Sequence, residues 1–315
     1  MEAMILKRFG GPENFAIEAV PEPTPGKGEV LIEVKAAGID PIDIKTRKGE
    51  GMSEYVKNRH PMVLGWDVSG VIVRTGEGVT EFGTGDEVFG TIGFPGPGSS
   101  YARFAKAPAA QLARKPVTLS HEEAAAATQS PLTAWQALVD TGHIGKGQRV
   151  LIHGGAGGVG NYAVQIAKNK GCYVIATASA ADADFVKSLG ADEVIDYKNQ
   201  RFEEMINEVD FILDTVGGEN FVRSLRVLKP GGTIVLLPSD KKPEADRAAR
   251  EQPGKNYKHI LMHSDGDAMR RIAGMLADGD IQVHIDRIFP FEQIPEAHRA
   301  MESGKIKGKI VITVD

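Results

Sequence analysis

The sequence predicts an α/β protein, with a doubly wound parallel sheet preceded by a smaller, barrel-like β domain. Three observations predict it. From residue 150 onward, short apolar runs alternate with helical stretches. Nearly unbroken apolar strands in that βαβα order belong to a parallel sheet covered by helices on both faces. Before residue 120 the chain consists of short apolar runs separated by Gly/Pro turns, as in a compact barrel. The 315 residues are enough for about two domains.

The elements follow in order. Residues 30–36 alternate with period two toward their end, and 68–73 and 87–89 are further strand-like runs. Turns lie between them at Pro23-Thr24-Pro25-Gly26, Thr75-Gly76-Glu77-Gly78 and Phe94-Pro95-Gly96-Pro97-Gly98. Ser120-His121-Glu122-Glu123 has the spacing of a capping box, in which hydroxyl and carboxylate satisfy free N–H groups at a helix start. The alanine-rich helix behind it is expected to break near Pro131, with a second helix over 133–140 ending near Gly142. Strands are then expected over 150–152, 173–177, 193–195, 211–213 and 233–237. The helices between them fall over 159–170, 182–189, 202–208 and 220–228. Residues 240–255 are polar, hold Pro243 and Pro253, and read as a mobile surface loop. A last strand over 259–262, a helix over 267–277 and a closing strand over 309–314 complete the chain.

The composition excludes several function classes. A formal charge of -5 and a pI near 6.0 lack the basic excess of a nucleic-acid binder. No apolar run reaches the roughly 18 residues of a membrane-spanning helix. The single cysteine, Cys172, permits neither an intramolecular disulfide nor a cysteine zinc tetrad. Residues 1–11 do not read as a signal peptide, so the expected location is cytoplasmic.

The strongest chemical signal is Gly154-Gly155-Ala156-Gly157-Gly158-Val159-Gly160, between an apolar strand and a helix. Gly155, Gly157 and Gly160 form G-x-G-x-x-G in the context that gives the pattern meaning. Gly155 would allow the tight turn, Gly157 the approach of a pyrophosphate, and Gly160 close packing of helix on strand. The phosphates would meet N–H groups at the helix start, including those of Gly158 and Val159. A nicotinamide dinucleotide, and with it an oxidoreductase, follows. At the end of the next strand stand Thr177, Ala178 and Ser179, with no carboxylate for a ribose 2′-hydroxyl. Ser179 can accommodate a 2′-phosphate, which favours NADPH, while Asp182 and Asp184 just beyond oppose it. Lys305 and Lys307 read equally as a compensating cation pair and as solvated surface lysines.

These residues, with Pro61 to Gly70, Gly190 to Tyr197 and Gly308-Lys309-Ile310-Val311, resemble the medium-chain dehydrogenase/reductase superfamily. More narrowly the chain is similar to its zinc-free NADPH:quinone oxidoreductase (zeta-crystallin-like) branch. The resemblance implies a Rossmann doubly wound parallel sheet plus a GroES-like β-barrel catalytic domain. The catalytic domain would be split over 1–124 and 266–315, with the dinucleotide domain at 125–265 and the active site in the cleft between them. It also implies a homodimer paired through the strand at 259–262. By the same resemblance Thr133 would sit near the nicotinamide, Thr215 on the adenosine side, Leu237 and Ser239 at the carboxamide, and Tyr197 at the adenine ribose or its phosphate. Where zinc members of the superfamily carry a cysteine and a His-Glu pair, this chain has Asp40 and Trp66-Asp67. Trp cannot ligate zinc. The branch usually has Asn at the position of Asp40 and often Lys at that of Ala181.

Without a metal, reduction of an electrophilic small molecule is the natural chemistry, as a quinone or an enone takes the charge on a carbonyl oxygen. Asp43 and Lys45 are candidate polar groups for the catalytic site, and read as readily as a structural Asp and a surface Lys. Two alternatives are a zinc-free carbonyl reductase and a cofactor-binding sensor or structural protein without turnover.

Overall fold

The computed structural model describes residues 1–314. The chain divides into two compact units. The first comprises Met1–Leu132, His263–Gly279 and Val283–Asp315, and the second Thr133–Met262 with Asp280–Gln282. The first boundary lies at 132/133 rather than 124/125 because the helix His121–Ala126 packs on strands Glu29–Ile39, Asp67–Thr75 and Lys309–Thr313. Residues 280–282 return to the second unit, where the Gln165 side chain and the Gln282 backbone exchange two hydrogen bonds.

The first unit is built on strand Glu29–Ile39, which is apolar on both faces and buried along most of its length. It pairs antiparallel with Asp67–Thr75, Phe104–Pro108 and Lys309–Thr313, so the last strand of the chain completes the sheet of the first third. Val30, Ile32, Val34, Ile72, Val88, Ile310 and Ile312 fill the core on one side, each adding about 1.5–3 kcal/mol by burial. The hairpin Glu2–Leu6 with Phe15–Ala19 adds Met4, Leu6 and Phe15 to this core. Sequence patterning missed it, because Phe15-Ala16-Ile17-Glu18-Ala19 carries no strict alternation and residues 7–14 form no two-residue turn.

The second unit is a six-stranded parallel sheet. Its strands run 193–196, 173–178, 149–152, 209–214, 228–236 and 256–259 across the sheet, the Rossmann order. The expected capping box is present: Ser120 Oγ accepts the Glu123 N–H at 3.2 Å and Glu123 Oε2 accepts the Ser120 N–H at 2.8 Å.

Three expectations are corrected. Residues 240–255 are not a loop: Lys242–Arg250 is a helix, with Pro243 in its first turn, where no intrahelical N–H is lost, and Ala245 buried beneath it. The last strand of the sheet is Asn256–His259, not 259–262, because pairing with 233–236 begins at Asn256. The helix break falls at 127–128, before Pro131. Helix Gln129–Trp135 carries that proline in its first turn and continues through a π-helical turn to Thr141. No helix among the described residues is long and apolar enough to cross a membrane.

Candidate functional site

The candidate dinucleotide site lies at the carboxyl ends of the parallel strands in the second unit. Strand Arg149–Ile152 delivers the chain into the glycine loop, and helix Gly158–Asn169 leaves it. The structure reassigns one glycine. The left-handed residue of the turn is Gly154, at φ +72°, not Gly155. A Cβ on Gly155 would lie 3.0 Å from Ala176 Cβ and 3.1 Å from Val186 Cγ1, so this glycine makes room for the neighbouring strand and helix. A Cβ on Gly160 would collide with the Gly154 carbonyl oxygen and lie 3.0 Å from Gly155 Cα, which fits its role in close helix–strand packing. A Cβ on Gly157 would meet only Gly154 O, at 3.3 Å, so its open side is free for a ligand. Gly157 caps the helix, and its first N–H groups have no intrahelical acceptor. The residues therefore fit a dinucleotide: a cradle lacking Cβ atoms, with helix-dipole charge and donors facing it.

The other predicted cofactor residues fall at the same ends of the sheet. Thr177 is buried; its carbonyl accepts the Gly155 N–H at 2.9 Å and its hydroxyl the Gly154 N–H at 3.2 Å. Ser179 donates its hydroxyl to Asp182 Oδ2 at 2.7 Å. Tyr197 is 56% exposed just past strand Glu193–Asp196, with the Lys198 ammonium 5.9 Å from its ring centre. Thr215 donates to the His153 carbonyl at 2.8 Å, and the Leu237 N–H to the Asp214 carbonyl at 3.0 Å. Ser239 opens the short helical turn beyond, and Thr133 is the buried first residue of the unit. Ala156, Gly158 and Val159 lie in the loop and first helical turn. Lys305 and Lys307 belong to the first unit, so the second unit taken by itself does not bring them to the ribose end.

The first unit holds a buried ionic cluster that sequence reasoning missed. Lys309, 1% exposed, donates to Asp40 Oδ1 at 2.5 Å and to Asp67 Oδ2 at 3.2 Å. Asp67 Oδ1 also accepts the Thr91 hydroxyl at 3.2 Å and the Gln129 N–H at 3.1 Å. Asp40 caps helix Pro41–Arg47, and its own N–H donates to Asp43 Oδ2 at 2.8 Å. Burial alone would depress the Lys309 ammonium, but the charges of Asp40 and Asp67 outweigh it and hold it above its ordinary value. Burial, reinforced by Asp40, pushes Asp67 well up and raises Asp43 to about 8. One internal cation thus faces three buried acids, of which Asp43, raised to about 8, keeps its proton at neutral pH. The sequence signal was a lysine at the head of an otherwise apolar strand, with Asp40 and Asp67 in similarly apolar surroundings.

This geometry separates the two predicted catalytic residues. Asp43 is 1% exposed and faces the interior, contrary to the expectation that it lines a cleft. At the third position of its helix it is turned inward to bond the Asp40 N–H. Lys45, two residues on, is half-buried. Among the described residues no three His, Cys, Asp or Glu side chains gather as a metal site requires.

Comparison with known proteins gives a consistent picture. Residues 26–117 match the alcohol dehydrogenase GroES-like domain and residues 189–312 the zinc-binding dehydrogenase domain. The structure of the quinone oxidoreductase from Coxiella burnetii superposes with a TM-score of 0.94 at 35% identity, covering 100% of this chain and 99% of that one. The mitochondrial NAD(P)H oxidoreductase RTN4IP1 of Danio rerio is 32% identical over 100% of this chain and 91% of its own. The chloroplastic NADPH-dependent alkenal/one oxidoreductase of Arabidopsis thaliana is 30% identical over 99% of this chain and 79% of its own. The second domain description names zinc, and the side chains here do not fit it. Asp40 is engaged by Lys309, and the Trp66 indole N–H donates to the Gly96 carbonyl at 2.9 Å.

Proposed function

The chain belongs to the medium-chain dehydrogenase/reductase superfamily, in its quinone oxidoreductase branch, and from that premise we propose that it reduces quinones and activated alkenes with NADPH, without zinc. It is a nicotinamide-dependent oxidoreductase. The observation that carries the reading is the Gly154 to Gly160 cradle at the switch of a 3-2-1-4-5-6 sheet. The Lys309 ion pair supports the zinc-free part, because an ammonium already holds the acids a metal would need.

When bound, the dinucleotide supplies hydride from C4 of its nicotinamide. Gly157 leaves room for the pyrophosphate, and the N–H groups of Gly158, Val159 and Gly160 balance its charge. Lys45, half-buried on helix Pro41–Arg47, is the less buried member of the predicted pair and its cationic one; we assign it the stabilisation of negative charge on the substrate oxygen. Asp43 holds a proton inside the barrel and keeps Asp40 in place. The protein acts as a cytoplasmic homodimer, pairing through the free edge of strand Asn256–His259. Light scattering at the size-exclusion peak should give twice the 33.8 kDa of the chain.

The direct experiment follows NADPH oxidation against quinones, enones and aldehydes. Turnover of quinones or enones supports the reading. Turnover of aldehydes alone makes the protein a carbonyl reductase, and NADPH binding without any turnover makes it a binding protein.

Cofactor preference rests on the strand end. Tyr197 and Lys198 follow Asp196, which pairs with Ala178, so Lys198 is the cation this unit offers to a 2′-phosphate. Asp182, bonded to Ser179, opposes it. Asp182→Asn is expected to tighten NADPH several-fold while leaving NADH nearly unchanged, because only the phosphate feels the lost charge. Parallel fluorescence titrations check this; tighter NADH than NADPH binding by the unaltered protein would overturn the preference.

A further inference from the structure

His153 stands one residue before Gly154, 1% exposed at the end of strand Arg149–Ile152. Its ring packs edge-on to Phe202, with centroids 4.7 Å apart. Nε2 is 2.9 Å from Ser224 Oγ and Nδ1 is 3.2 Å from Thr177 Oγ1. The partners decide which nitrogen carries the proton. Ser224 spends its one hydroxyl proton on the Asn220 carbonyl, at 2.7 Å. Ser224 therefore accepts from His153, and Nε2 is the protonated nitrogen. In a neutral ring Nδ1 is then an acceptor, and the Thr177 hydroxyl donates to it.

The chain of bonds continues at both ends. Thr177 Oγ1 accepts the Gly154 N–H at 3.2 Å. Asn220 Nδ2 donates to Asp214 Oδ1 at 3.1 Å, and that oxygen also accepts the Val216 and Gly217 N–H groups at 2.9 Å each. From Gly154 through Thr177, His153, Ser224 and Asn220 to Asp214, every donor points the same way. The series links the glycine loop to the loop after strand Val209–Asp214, crossing three adjacent strands. Both ends hold a left-handed glycine, Gly154 at φ +72° and Gly217 at φ +73°.

We infer that His153 is a positioning residue for dinucleotide binding, whose neutral Nε2–H tautomer locks the Gly154 loop and the Asp214–Asn220 loop into their binding arrangement before the cofactor arrives. The inference rests on the reading of Gly154 to Gly160 as the dinucleotide site. Loops already ordered spare the complex the cost of ordering them, which appears as affinity. An imidazolium cannot serve, because a second ring proton would face Thr177 and reverse the direction of its bond. Burial keeps the ring neutral, lowering it to about 4. Of the charged groups that face it, Asp214 works against this and Arg223, itself clamped by Glu203, works with it.

The test is a cycle of Thr177→Val, His153→Leu and the double variant, read by NADPH titration and steady-state kinetics. Each single change is expected to raise the Kd and KM for NADPH about ten-fold, with a much smaller change in kcat, as for one severed hydrogen-bond link. The double variant is expected to be no weaker than the worse single one, because the series is already cut. Thr177→Ser, which keeps the hydroxyl, retains the original affinity. Long-range 1H–15N spectra of histidine-labelled protein are expected to show the His153 ring, identified as the signal that moves in Thr177→Val, as a neutral Nε2–H tautomer unchanged from about pH 8 to about pH 6. The spectra decide even where the leucine variant does not fold. Wild-type affinity in both single variants, additive losses, or an Nδ1-protonated His153 ring would overturn the inference. Failure of the unaltered protein to bind NADPH would instead overturn the site on which it rests.

Discussion

Lys309→Met is expected to destabilise the first unit by about 3–5 kcal/mol, because it strips the only cation from a buried acidic cluster. Methionine fills similar volume, so packing loss is a minor part. Scanning calorimetry should find the transition lowered by about 10 °C. The loss has a pH signature. Without the ammonium, Asp67, already raised by burial and by the charge of Asp40, loses the cation that lowers it and rises further. An acid with a raised folded value stabilises when protonated, and that stability is lost as pH rises above the unfolded value. The Lys309→Met penalty is therefore smaller near pH 5 than near pH 8. Adding Asp40→Asn and Asp67→Asn should recover most of the loss at the higher pH. A Lys309→Met protein as stable as the original at both pH values would show that the cluster holds nothing together.

The second large effect concerns two glycines three residues apart. Gly160→Ala places a methyl against the Gly154 carbonyl and Gly155 Cα, both backbone, so the helix must move off the strand. NADPH affinity is expected to fall by about a hundredfold, with the second unit destabilised by about 1–3 kcal/mol from overpacking. Gly157→Ala meets only one atom, at 3.3 Å, and Gly157, the helix cap, sits in extended backbone at φ -75° that any residue adopts. Its thermal transition should stay within about 2 °C of the original, yet NADPH binding should weaken at least about tenfold if a phosphate approaches that backbone. Loss of stability in both variants, or of affinity in neither, would remove the distinction between a packing glycine and a ligand glycine.

How much of this was legible in the sequence varied with the kind of order involved. The alternation from residue 150 to 237 gave the sheet, because parallel strands buried on both faces must be apolar nearly throughout. The glycine loop was legible because close approach admits no other residue. The helix Lys242–Arg250 was not, since its only buried anchor among polar neighbours is Ala245, with Pro243 in its first turn and Pro253 just beyond its end. Asp43 misled because period and spacing do not say which side of a short helix faces inward. The Lys309 cluster joins residues 40, 67 and 309, and such partners meet only through tertiary folding. His153 follows an apolar strand with nothing in the sequence to mark it; its two partners lie 24 and 71 residues away. The zinc question turned on the same distinction. The residue types at 40, 66 and 67 were visible, but the ammonium that occupies the acids was not.

Hydride transfer to the electrophilic carbon of a conjugated acceptor leaves its mark on the product. The direct measurement supplies C4-deuterated NADPH with an α,β-unsaturated ketone and locates the label in the product by NMR. The expected product is a saturated ketone with deuterium on the β-carbon. Deuterium on the carbonyl carbon of an unsaturated alcohol would contradict it.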